Sequence, residues 1–215
     1  MKRRILILAA AAIPVAPVLA APGGRALLEA FVRSTTSASG RFTQSLFDKK
    51  GDPADAPSSG VFAFERPGKF AWRTQAPYVQ EIIADKSSVK LWDKDLNQVT
   101  VRSVAGAVTA APAALLFGDE KALAAFRLTE STERRAGAVA AVKAVPLKED
   151  ASFAWAVAGF DGAGVPVFMR LADHFGMVTE LVFSDVKKNP VLSDADFALH
   201  APADADILED RTNVF

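Results

Sequence analysis

The 215-residue chain contains no cysteine. Disulfide frameworks and thiolate metal sites are therefore excluded, and stability has to come from a packed core and backbone pairing. Histidine is scarce too: there are only two, His174 and His200. Neither belongs to a His-Glu-x-x-His pair or a close ligand cluster, so a zinc hydrolase has no footing. His174 lies in "ADHFGM", read as a hairpin turn, and His200 lies near the chain end; both read as structural or surface residues. The Gly-x-Ser-x-Gly of a nucleophile elbow is missing. No apolar run reaches the roughly 20 residues that a membrane-spanning helix needs. Beyond the first few residues there is no basic run either, which removes the electrostatic footprint for nucleic acid and for anionic lipid.

Two weak motif matches dissolve on inspection. "DKDLNQ" places Asp93, Asp95 and Asn97 at positions 1, 3 and 5 of a calcium loop, but Gln98 stands where glycine is needed and Val104 where glutamate is needed. "GFDGAG" has the glycines of a phosphate loop without the following lysine and helix. Both read as hairpin turns. No cofactor, no metal and no catalytic constellation is expected, and an enzyme is not the reading the residues favour.

What is present begins with a leader. Lys2, Arg3 and Arg4 precede an apolar run from Ile5 to Ala12, broken by Pro14 and Pro17 and closed by Val18-Leu19-Ala20. This pattern predicts a secretory signal peptide over residues 1–20, cut after Ala20. The remaining residues 21–215 are read as a single exported domain. Its charge is weakly acidic, 22 basic against 25 acidic residues.

Aromatic usage is lopsided, with 15 Phe and 3 Trp against a single Tyr. Phe has no polar handle, so such a chain is prepared for dry surroundings. "GRALLEAFVRS" has helical spacing from about Arg25 to Thr35. The pattern then becomes period two, in short segments separated by polar turns such as "DKSS" and "DKDLN". A helical insertion interrupts it at "TAAPAALLFGDEKALAAF", with Pro112 in a first turn, Gly118 at its end, and Asp119 capping a second short helix. The tail "HAPADADILEDRTNVF" reads as an extended, partly mobile acidic terminus. The count is about eleven strands with a few short helices, in an antiparallel meander that has to curl or close to hide its edges. The stretch "RPGKFAWRTQAP" puts Phe70 and Trp72 on one strand face and Lys69, Ala71 and Arg73 on the other. Phe62, Phe64, Phe70 and Trp72 fit two descriptions: a filled core, which the residues by themselves favour, or the lining of an apolar pocket.

Several segments in order carry a resemblance. "GRFTQ" after an amino-terminal helix, "SSGVFAFERPGKFAWRTQAPYVQEIIAD", "DKDLNQVTVR" and "APAALLFGD" together resemble the outer-membrane lipoprotein carrier family, over roughly residues 25–200. The chain departs from the family pattern at Asp85-Lys86, where Asp-Gly is common, at Lys90, where Trp is common, and at Trp92, where Tyr is common. The resemblance implies an incomplete antiparallel β-barrel closed by a lid of short helices. It implies a monomeric periplasmic carrier that takes acylated lipoproteins from an inner-membrane ABC-type exporter driven by ATP and passes them to an outer-membrane acceptor. It implies a lipid-binding wall of Phe62, Phe64, Phe70, Trp72, Leu91, Trp92, Leu115, Leu116, Phe117 and Phe183, the inward member of the Leu91/Trp92 pair being left open. Arg66 matches the arginine that latches the lid by donating to its backbone carbonyls. A carrier for another amphiphile, an envelope stress sensor domain and a lipid hydrolase are the alternatives to that reading.

Overall fold

The computed structural model describes residues 21–103, 112–118, 120–148 and 153–210. The signal peptide and the Asp119 cap lie outside the described residues. An amino-terminal helix, α1 (Gly24–Ser34), leads into six antiparallel strands: β1 (Ser37–Phe47), β2 (Ser58–Glu65), β3 (Lys69–Ala76), β4 (Gln80–Ala84), β5 (Ser88–Asp93) and β6 (Gln98–Ser103). Two short helices follow, α2 (Pro112–Phe117) and α3 (Glu120–Leu123). A second run comprises β7 (Phe126–Ser131), β8 (Ala140–Pro146), β9 (Trp155–Phe160), β10 (Pro166–Ala172) and β11 (Val178–Lys188). A last strand, β12, spans Asp206–Asp210.

All twelve strands form one sheet in the order β12-β6-β5-β4-β3-β2-β1-β11-β10-β9-β8-β7. Two meanders are thus joined where β1 pairs with β11, Phe42 opposite Phe183. The sheet stays open, since β12 and β7 lie at its two edges and do not pair with each other. Incomplete barrel is the right description; a closed barrel is not. The strand count exceeds expectation by one because the acidic tail contributes β12, which runs parallel to β6 while every other pair is antiparallel.

Period-two sequence puts one side of each strand on the concave face, where a single apolar cluster gathers Phe42, Phe62, Phe64, Phe183, Met169, Leu171, Phe160 and Val142 with Leu28, Phe31 and Val32 of α1. The helix is seated by the close approach of Gly24: a Cβ there would lie 2.1 Å from the Ala141 carbonyl carbon. Its first turn is held by the Glu130 carboxylate, which accepts from the Gly24 N–H at 2.7 Å and the Arg25 N–H at 3.2 Å. A carboxylate there satisfies orphan donors and complements the positive end of the helix.

The segment that leads into the expected tail, residues 192–199, follows a defined path over the outer face, and the first residue of the tail, His200, is fixed there too. Leu192, Phe197 and Leu199 cover Ala63, Ala71 and Ile83. Arg73 donates to the carbonyls of Asp196 and Ala198 at 2.9 and 2.8 Å, and Lys69 pairs with Asp194 at 2.8 Å. The buried Glu81 carboxylate accepts from the His200 backbone N–H at 3.1 Å, with His200 Nδ1 2.9 Å away. Lys69 and Arg73, which the alternation places opposite Phe70 and Trp72, therefore anchor the segment that leads into the tail.

The aromatic wall and its latch

The wall is built by register. Phe62 lies opposite Trp72 and Phe64 opposite Phe70 across the β2–β3 pair, so four aromatic side chains share the concave face of two adjacent strands. The next pairings carry that face outward along the sheet: Trp72 to Ile82, and Ile82 to Leu91. On the other side Phe42 stacks on Trp72 with ring centroids 3.7 Å apart, and Phe183 meets Phe62 edge-on at 5.6 Å. Gly40 leaves room for the Phe62 ring, which comes within 2.9 Å of where a Cβ would stand.

The short helix α2 plugs this wall. Phe117 reaches Phe62, Phe64 and Phe70 at 5.5, 5.1 and 5.2 Å between centroids. Leu115 and Leu116 are fully buried in the same cluster. Of the two descriptions left open by the sequence, the structure shows the first: the aromatics fill a core, and one layer of that core comes from α2.

Arg66, at the β2–β3 turn, holds that helix. Its Nε donates to the Gly118 carbonyl at 2.7 Å and Nη2 to the Leu116 carbonyl at 2.7 Å, while Nη1 donates to the Thr35 carbonyl. The guanidinium also lies over the Phe64 ring, 4.6 Å from its centroid. A planar fork with five donors suits this task, since one side chain ties the carbonyl end of α2 to the end of α1. Those carbonyls have no partner within so short a helix, and a cation beside them complements its negative end. The Thr35 backbone is itself held to α1 by a bond from its N–H to the Phe31 carbonyl at 3.0 Å. Arg66 therefore bridges the end of α1 and the end of α2.

Of the residues read from the sequence, Phe62, Phe64, Phe70, Trp72, Leu115, Leu116, Phe117 and Phe183 come together in one apolar cluster. Leu91 joins the same face through Ile82. Trp92 does not. It sits opposite Glu81 on β4 and Val99 on β6, on the outer face with Ile83 and Arg73. It is buried there, with Nε1 lacking a hydrogen-bond partner among the described residues. Its inclusion in the wall is corrected by the strict alternation of the strand: Leu91 and Trp92 cannot both face inward. Two wall residues were missed, Phe42 and Ile82. "GRFTQSLF" already set Phe42 on one strand face, but only the β1–β2 register brings it over Gly60 and against Trp72.

A sequence profile for "Outer membrane lipoprotein carrier protein LolA" matches residues 33–200. A protein of Methylobacillus flagellatus described as outer-membrane lipoprotein carrier protein is 39% identical over 181 residues, covering 84% of this chain and 86% of its own length. A protein of Cupriavidus pinatubonensis with the same description is 38% identical, covering 97% of this chain and all of its own length. Among solved structures, an uncharacterized conserved protein from Thermus thermophilus superposes with a TM-score of 0.57 at 14% identity, over 86% of this chain and 98% of that one. That likeness speaks to the fold alone.

Proposed function

The chain belongs to the family of outer-membrane lipoprotein carrier proteins, and from this membership and the geometry of the wall we propose how it carries its cargo. It is a periplasmic lipoprotein carrier. Its leader is cleaved after Ala20, and the mature chain receives acylated lipoproteins from an ATP-driven exporter in the inner membrane and yields them to an outer-membrane acceptor. The acyl chains lie against Phe42, Phe62, Phe64, Phe70, Trp72 and Phe183, in the place that Phe117 occupies in the closed form. Arg66 is the latch.

One observation carries this reading. The aromatic wall is covered by a helix that Arg66 ties down through bonds to backbone carbonyls. Backbone acceptors can turn to water when α2 lifts, so opening leaves no stranded polar side chain in the cleft. The apolar side chains of α2, by contrast, are replaced like for like by acyl methylenes.

The magnitudes explain why a lid is needed. Burying a methylene is worth about 0.8 kcal/mol, so one long acyl chain in water costs on the order of 10 kcal/mol. A triacylated protein does not leave a membrane unaided on a useful timescale. A carrier that buried three chains in a permanently open cleft would never release them. In the closed form Phe117 and the Arg66 bonds already satisfy the wall, so cargo displaces existing contacts and its net affinity falls by the free energy of opening.

The test uses a tripalmitoyl-cysteine lipopeptide with bromine on its acyl chains. Bound one to one, it quenches Trp72, read in a variant lacking Trp92 and Trp155, and native mass spectrometry gives a 1:1 mass. Quenching absent at saturation places the chains elsewhere. A different amphiphile recovered from the purified chain, with no exchange for lipopeptide, contradicts the lipoprotein cargo and retains the wall.

A further inference from the structure

The two edges of the sheet are finished differently. β6 is covered along its length by β12, whereas among the described residues β7 pairs on one side only, with β8. A groove of about 530 Å³ lies against β7, bounded by α1 and α3. Phe126, Arg127 and Leu128 all line it. Consecutive strand residues point to alternate faces, so an opening that touches all three follows the free edge of the strand. Among the described residues no strand pairs with this side of β7, and the groove runs along it beside the buried Leu123 and Phe126 and the half-buried Leu128.

The rim is charged. Arg25 is paired with Glu29 at 2.8 Å and Arg33 with Glu120 at 3.1 Å. Arg127, exposed on the strand itself, has no ion pair among the described residues. Three arginines and two acids line the groove, Glu130 of β7 lies beside Arg25 at its end, and Arg127 is the arginine that stands apart from these acids.

We propose that this edge is a docking site for an extended acidic segment of a partner protein, which adds as a further strand beside β7. Its backbone pairs with the strand edge, its alternate apolar side chains rest on Leu123, Phe126 and Leu128, and its carboxylates meet Arg127. The other edge shows the chemistry at work. There the acidic sequence Asp206-Ile207-Leu208-Glu209-Asp210 lies along β6 in parallel register, with Ile207 and Leu208 exposed. An open edge of this kind usually invites indiscriminate pairing, and a charged rim narrows what it accepts. Leu123 and Phe126 belong to the same apolar cluster as the wall, and α3 packs against α2, but the strand edge and Arg127 are tested without reference to what the wall carries.

The experiment titrates the full mature chain with an end-blocked octapeptide, Glu-Val-Glu-Ile-Asp-Val-Glu-Gly, and with its counterpart in which lysine replaces every acid. Amide chemical shifts are followed by NMR. The expected result is saturable shifts over residues 126–131, at least tenfold weaker binding of the lysine peptide, and a similar loss in Arg127→Glu, whose exposed side chain leaves the fold unchanged. Four outcomes overturn the proposal: no shift in β7 at millimolar acidic peptide, shifts centred on β6 through displacement of β12, equal binding of both peptides, or sedimentation showing that a second copy of the chain occupies the β7 edge.

Discussion

Replacing Arg66 with leucine separates the latch from the wall. The guanidinium makes three bonds to backbone carbonyls. Each charge-assisted bond is worth about 1.5–3 kcal/mol net. The Thr35 bond joins two parts that stay in place when α2 lifts, so two bonds, to Leu116 and Gly118, set the share of the opening cost that the substitution removes. Water recovers part of that cost at the exposed carbonyls. The differential left is about 3 kcal/mol, which raises the open population roughly 150-fold. Hydrogen exchange reads this directly: amides 115–118 of Arg66→Leu exchange about two orders of magnitude faster, while amides of β2 and β3 change little. Cargo affinity rises by the same factor, because no latch opposes entry, and delivery to an acceptor slows in proportion. Arg66→Lys keeps the charge but not the fork and falls between the two. Exchange of amides 115–118 within twofold of the parent chain would refute the latch, as would normal delivery in a two-step transfer assay.

Three other perturbations bear on the same structure. Phe70→Glu puts a carboxylate into the apolar wall beside Phe64 and Phe117 and abolishes lipopeptide loading; loading at the parent level would place Phe70 outside the path of the chains. Gly24→Ala drives a methyl into the Ala141 carbonyl and destabilises the seat of α1 by about 2–4 kcal/mol, seen as a lowered denaturation midpoint; an unchanged midpoint would mean that the helix shifts freely over β8. Asp85 caps the β4–β5 turn, accepting from the Ser87 hydroxyl and from the backbone N–H groups of Ser87 and Ser88, which lowers its pKa to about 2. Because the folded pKa lies below that of the unfolded chain, this contribution is complete above about pH 4 and is lost as pH falls through 2. Asp85→Asn removes that part of the acid dependence, and an identical acid profile would show that the turn holds without the carboxylate.

The strands were legible because one face of the sheet is buried and the other is not, which writes period two into "VFAFE" and "KFAWR". The amphipathic α1 was legible for the equivalent reason at period 3.6. Where both faces are covered the alternation fades. In "SVKLWD" Val89 and Leu91 face the wall while Trp92 is buried against the outer face, so three apolar residues carry no sign of direction. The tail was opaque in another way. The side chains of Asp206 to Glu209 are all exposed, and a strand with exposed side chains leaves no hydrophobic pattern to read. The anchors on the outer face, Arg73 and Glu81, look in sequence like ordinary polar strand residues. The Arg66 contacts are with carbonyls of Leu116 and Gly118, about fifty residues away, where side-chain identity says nothing. Only the resemblance to a known family pointed there.

A carrier of this kind removes lipoproteins from a membrane by burying their acyl chains. The most direct measurement incubates the purified mature protein with inner-membrane vesicles or spheroplasts and ATP, then analyses the supernatant. The account predicts lipoproteins released as soluble 1:1 complexes with this protein, dependent on its addition and on ATP, and absent with Phe70→Glu. Lipoproteins that stay in the membrane fraction, with the added protein soluble and empty, would contradict it.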